Sequence, residues 1–194
     1  DMYENGLIPH PYKSNIESQL HWIPQHEWEY SLDFKAEDYI LREDVIELVF
    51  EGLDTYADVW MNGKKILHAD NMFRTYSYDV KDIIEETNNI KIKFYPFDKE
   101  RDSLIETYPL RFPEKYAVMR KAAYQNGWDW APRYMNMGIW QPVYIKAWTR
   151  STICSASVIT NEIHDDKADL FFEACINADV EHDITLQLFH ENEK

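Results

Sequence analysis

The densest chemical signal in the sequence is Gly127-Trp128-Asp129-Trp130-Ala131-Pro132-Arg133. Two indoles flank one carboxylate, and glycine and proline bound the segment, so it reads as a loop. A carboxylate between aromatic rings accepts hydrogen bonds from two hydroxyls while the rings stack on C–H faces. That is the chemistry of a sugar site. A structural turn fits the same residues, with Asp129 capping local N–H groups and the indoles in the core. Other candidates carry less. The seven histidines show no metal-ligand spacing with a second His or Cys and read as scattered surface or half-buried side chains. Glu85/Glu86 and Asp165/Asp166 read as solvated turns. Asn71 reads as a turn residue, with a sugar contact as the alternative. Cys154 and Cys175 lie outside any CxxC and read as small buried apolar residues; spacing leaves their pairing open. No Gly-rich phosphate loop and no Gly-x-Ser-x-Gly elbow occurs, and no cofactor or metal is expected.

The elements that must position the Trp-Asp-Trp segment are short and mostly of period two. Trp28, Tyr30, Leu32 and Phe34 alternate with polar residues, as in a half-buried strand. Val45 to Phe50 is a short, mostly apolar run. Tyr56 to Met61 and Lys65 to His68 flank Asn62-Gly63, a hairpin signal because both turn positions need positive φ. Phe73 to Val80, Ile90 to Phe94 and Ile139 to Trp148 continue the series, the last with Pro142 near its start, which suits an edge or bulge. Val80 to Thr87 holds at most one or two helical turns. Residues 98–126 show no strand pattern and read as a long irregular connection, functional or mobile. Many short strands between turn signals predict an all-β jelly-roll sandwich.

Composition divides the chain. All seven Trp, thirteen Tyr, eight Pro and five Gly lie before residue 150. Residues 151–194 hold 10 acidic and 2 basic residues, net −8; residues 1–150 hold 25 and 18, net −7. A domain boundary is therefore placed near 150, giving domains 1–150 and 151–194. The second has three expected strands, Ile153–Ile159, Leu170–Ile176 and Ile184–Phe189. A sandwich needs about seven, so that domain is expected to be incomplete. The total charge of −15 disfavours nucleic acid and acidic membrane surfaces as partners. No run of some eighteen apolar residues occurs, and the chain reads as soluble. It begins at Asp1 rather than Met, so the missing targeting segment is silent about compartment.

Several stretches together resemble the N-terminal sugar-binding domain of glycoside hydrolase family 2, in its β-mannosidase branch. They are Gly6-Leu7-Ile8-Pro9-His10-Pro11-Tyr12, Trp28-Glu29-Tyr30, Phe50-Glu51-Gly52-Leu53-Asp54-Thr55, Val59-Trp60-Met61-Asn62-Gly63 and Asp70-Asn71-Met72-Phe73-Arg74. The most specific are Arg120-Lys121-Ala122 with Gly127 to Arg133, and Gly138-Ile139-Trp140-Gln141-Pro142-Val143. Similarity covers roughly residues 6–149, and the acidic tail resembles the opening of an immunoglobulin-like domain. The resemblance implies a galactose-binding-domain-like jelly roll, then part of an immunoglobulin-like sandwich, then a TIM barrel. It implies an exo-acting, retaining enzyme that removes terminal β-linked mannose from manno-oligosaccharides. Retention needs two carboxyl groups about 5–5.5 Å apart, which the family carries on its barrel. This chain is thus expected to hold no catalytic residue and to be inactive alone. Trp128 and Asp129 are carried over as substrate-binding residues: Asp129 bonds hydroxyls of the terminal mannose and Trp128 walls the pocket. Trp130 and Arg133 are taken as mainly structural. A self-standing carbohydrate-binding module without hydrolysis is the alternative.

Overall fold

The computed structural model describes residues 2–13, 15–107, 114–179, 181 and 183–187. The elements run α1 (Glu17–Leu20), β1 (Trp28–Lys35), α2 (Asp38–Leu41), β2 (Val45–Phe50), β3 (Leu53–Asp54), β4 (Ala57–Met61), β5 (Lys64–Ala69), β6 (Tyr76–Asp79), β7 (Thr87–Phe94) and α3 (Phe97–Thr107). After short 3-10 turns at Lys115–Val118 and Ala123–Asn126 come β8 (Gly138–Ile139), β9 (Val143–Trp148), β10 (Ser151–Ile163) and β11 (Ala168–Ala178).

Two antiparallel sheets make the sandwich. One has the order β1-β7-β4-β5 and the other β6-β2-β9. Alternation explains how each contributes an apolar face. Ile90, Ile92 and Phe94 of β7 and Ala57, Val59 and Met61 of β4 point inward. Ile46, Leu48 and Phe50 of β2 meet them in one buried cluster. The β4–β5 hairpin turns at Asn62 (φ 50°) and Gly63 (φ 79°), so both turn residues take the positive φ that a two-residue hairpin requires. The expected strand from Ile139 to Trp148 is divided. β8 pairs with β3, β9 pairs with β2, and Pro142 lies between them with its carbonyl accepting from Glu51 N–H at 3.0 Å.

The segment 98–126 departs from the sequence expectation. It opens inside an eleven-residue helix, α3, which begins at Phe97, and its residues 108–113 lie outside the described residues. Phe97 and Leu104 enter a second cluster with Tyr56, Met119 and Met135. The position between them on that face is Arg101, whose side chain is only 17% exposed and pairs with Asp98 at 2.5 Å. An arginine in an apolar slot hid the helical period. Asp98 and Glu100 in the first turn suit the helix dipole.

After Arg150 the chain forms a two-stranded ribbon, β10 with β11. Nearly every ribbon residue is exposed or only half-buried, including Ile163 at 81% and Phe171 at 50%. Cys154 and Cys175 are free and exposed on it, not buried as expected, because no second layer covers either face among the described residues. Residues 183–187 have no regular structure, and the rest of the third expected strand, 188–189, lies outside the described residues.

Candidate functional site

The Trp-Asp-Trp segment is a tight turn on a short stalk. The 3-10 turn Ala123–Asn126 delivers the chain to Gly127, whose φ of +86° lets it reverse direction. A Cβ there would meet the Cβ of Arg133 at 3.1 Å, so the two legs of the turn press together at a glycine. Trp128 N–H donates to Ala131 O at 3.1 Å and Ala131 N–H donates back to Trp128 O at 3.2 Å. Asp129 and Trp130 occupy the tip. Trp128 is 65% exposed and Trp130 is 83% exposed. Trp130 is therefore not part of the core of the described residues. Arg133 is structural through its backbone: its N–H donates to Glu17 Oε1 at 2.9 Å. Asp129 is exposed, and its carboxylate has no hydrogen bond or ion pair among the described residues. It caps no local N–H group.

Beneath the turn lies a polar network that the sequence reading did not assign. Lys121 is buried, with its ammonium 2.5 Å from Asp54 Oδ1 and 2.5 Å from the carbonyl oxygen of Asn136. Gln125 donates from Nε2 to Asp54 Oδ2 at 3.0 Å, and its Oε1 accepts from Asn136 N–H at 3.0 Å. Thr55 Oγ1 also donates to Asp54. Burial pushes the Lys121 ammonium down to about 8, against the pull of Asp54. The Phe97 ring covers it, with its centroid 4.5 Å from Nζ. Charged Asp54 and Lys121 sit inside two of the motif stretches that carry the family resemblance. That placement was the available signal.

Asn71 has a turn role: its Oδ1 accepts from Phe73 N–H at 2.9 Å, and its backbone bridges to Arg120. A cavity of about 830 Å³ lies between the N-terminal segment, β1 and residues 133–140. Trp28, Tyr30, Tyr134 and Trp140 are among its walls, and Arg133 joins it to the turn. Trp128 and Asp129 do not line it, so the tip and the cavity are separate features. Glu162, His164 and Asp169 cluster at the end of the ribbon with ligand atoms within 4.8 Å of one another. All three are exposed, and His164 Nε2 stands 3.5 Å from each carboxylate, as in a surface ion-pair group.

The comparison that decides the family covers residues 1–141, which match the model described as glycosyl hydrolase 2 galactose-binding domain-like. The chain belongs to this family. Within it, the relatives place the family 2 domain in the β-mannosidase branch. A β-mannosidase of Mus musculus is 31% identical over 159 residues, covering 76% of this chain and 18% of that protein. A β-D-mannosidase structure from Dictyoglomus thermophilum superposes with a TM-score of 0.83 at 32% identity, covering 92% of this chain and 22% of that one. An exo-chitosanase from Amycolatopsis orientalis gives 0.67 at 25%, covering 92% and 19%. The family 2 domain and its ribbon thus span about a fifth of the length of these relatives.

Proposed function

We propose that this chain is the sugar-contacting N-terminal part of an exo-acting, retaining β-mannosidase. The single observation that carries this reading is Asp129: a carboxylate with no partner among the described residues, at the tip of a hydrogen-bonded turn beside two exposed indoles. A carboxylate has four lone-pair sites for hydroxyl donors. In this reading Asp129 bonds hydroxyls of the terminal mannose and Trp128 walls the pocket against the sugar's C–H face. An exo-enzyme needs a blocked end, and a projecting turn supplies the block. Binding energy from hydroxyls away from the reacting carbon then supports distortion at that carbon.

The retaining carboxyl pair is assigned to a barrel domain of the same protein, consistent with the much greater length of the relatives. These residues alone are proposed to be inactive on a manno-oligosaccharide. The sandwich of residues 1–150 is proposed as one domain and the ribbon from 151 as the start of an immunoglobulin-like neighbour. In an active enzyme carrying this chain, Asp129→Ala is expected to lower kcat/KM by about 10²-fold, roughly 3 kcal/mol. An unchanged kcat/KM would return Asp129 to a structural role. The two exposed indoles favour a second reading, a self-standing carbohydrate-binding module. Affinity separates the two: one Asp and one ring enclose only part of a sugar and give roughly millimolar binding, whereas a module would reach micromolar.

A further inference from the structure

We infer that Asp54 is the positioning residue of the Trp128–Asp129 turn, acting through Lys121 and Gln125. The turn itself is held by two backbone hydrogen bonds, by the packing of Gly127 on Arg133 and by Arg133 N–H donating to Glu17 Oε1 at 2.9 Å. Its side chains face solvent, so its direction is set from its legs. The leg before the turn ends on the Asp54 carboxylate, and the leg after it is held through the same two side chains that bond this carboxylate. Lys121 and Gln125 precede the turn and bond the two oxygens of Asp54 at 2.5 and 3.0 Å. Asn136 follows the turn, and its backbone N–H and C=O are held by those same two side chains, at 3.0 Å by Gln125 and 2.5 Å by Lys121. Asp54 itself is fixed in the sandwich, since β3 pairs with β8 as Leu53 with Ile139 and Asp54 with Gly138. All three side chains are buried, at 3%, 6% and 4% for Asp54, Lys121 and Gln125. The two bonds to the Asp54 carboxylate are buried, and the two to the Asn136 backbone are half-buried. A buried network whose every member is satisfied holds one geometry.

The value of this positioning to a sugar rests on the function proposed above; the mechanical coupling does not. Amide hydrogen exchange on the 194-residue chain tests it. Two variants are compared with wild type. Gln125→Leu removes the clamp and keeps the ion pair. Asp54→Leu with Lys121→Met replaces both charges, which avoids leaving one buried and unpaired. In each, the Trp128 and Ala131 amides should exchange about tenfold or more faster, while Leu48 and Ile92 in the core strands stay within about twofold of wild type. A role in stability alone would speed all four amides together, and that result would overturn the inference. So would unchanged exchange at Trp128 and Ala131. If the double variant fails to fold, Gln125→Leu decides. Titration of wild type with methyl β-D-mannoside separately tests the sugar contact. Asp129→Ala should keep slow exchange at the turn.

Discussion

The Asp129 carboxylate has no partner among the described residues, while Asp54, an identical side chain, is wholly engaged. Environment separates the two roles. Lys121→Met would leave the Asp54 carboxylate buried without its cation and should destabilise the chain by about 3–5 kcal/mol in chemical denaturation. The pH dependence follows from the lowered Lys121 value. Below about pH 8 the folded state holds a charged, desolvated ammonium, and the unfolded chain holds its proton up to its ordinary value of 10.5. Between those limits the unfolded state binds more protons, so this lysine's contribution to stability rises with pH. Wild type should therefore gain on Lys121→Met from pH 8 to 10.5, and a flat difference would show an unperturbed lysine. Tyr56 is the opposite case. Its hydroxyl is buried with no partner among the described residues, and burial, then Glu100 and Asp70, push it up to about 12. Tyr56→Phe should cost nothing and raise stability by up to about 1 kcal/mol in the same denaturant titration.

At the scale of elements, the turns that depend on backbone chemistry were legible and those that depend on tertiary contacts were not. Asn62-Gly63 announced the β4–β5 hairpin because positive φ is a local demand. The core strands announced themselves by alternation, since one face of each is buried. Helix α3 did not, because Arg101 takes a core-facing position and is neutralised only by Asp98 and Asp102 in the folded chain. The Trp-Asp-Trp segment was recognised as a loop, yet its exposure and its anchor were hidden. Lys121 and Asp54 are 67 residues apart and meet only through folding. Gly127→Ala brings the added Cβ to 3.1 Å from Arg133 at a φ of +86°. It should cost about 1–3 kcal/mol and reorient the turn, visible as shifted indole signals of Trp128 and Trp130 with little change in the strands.

At the scale of the whole molecule, the sandwich and the ribbon differ in kind. Every core residue of both apolar clusters precedes residue 150 among the described residues. A two-stranded ribbon open on both faces is marginally stable by itself. Removing residues 151–194 should therefore leave the thermal midpoint of the sandwich within about 4 °C of the intact chain, the shift that about 1 kcal/mol produces in a domain of this size. A larger fall would mean the ribbon packs on the sandwich in solution. The composition break at residue 150 thus coincides with a change from covered to uncovered strands. The charge of −15 leaves neutral sugars as acceptable ligands of the exposed tip.

The most direct measurement is a two-dimensional NMR titration of the chain with methyl β-D-mannoside. A mannose-contacting turn predicts shifts confined to the Trp128 and Trp130 indoles and the Asp129 amide, saturating in roughly the millimolar range and abolished by Asp129→Ala. Shifts located elsewhere, or none at these residues up to about 100 mM ligand, would contradict it.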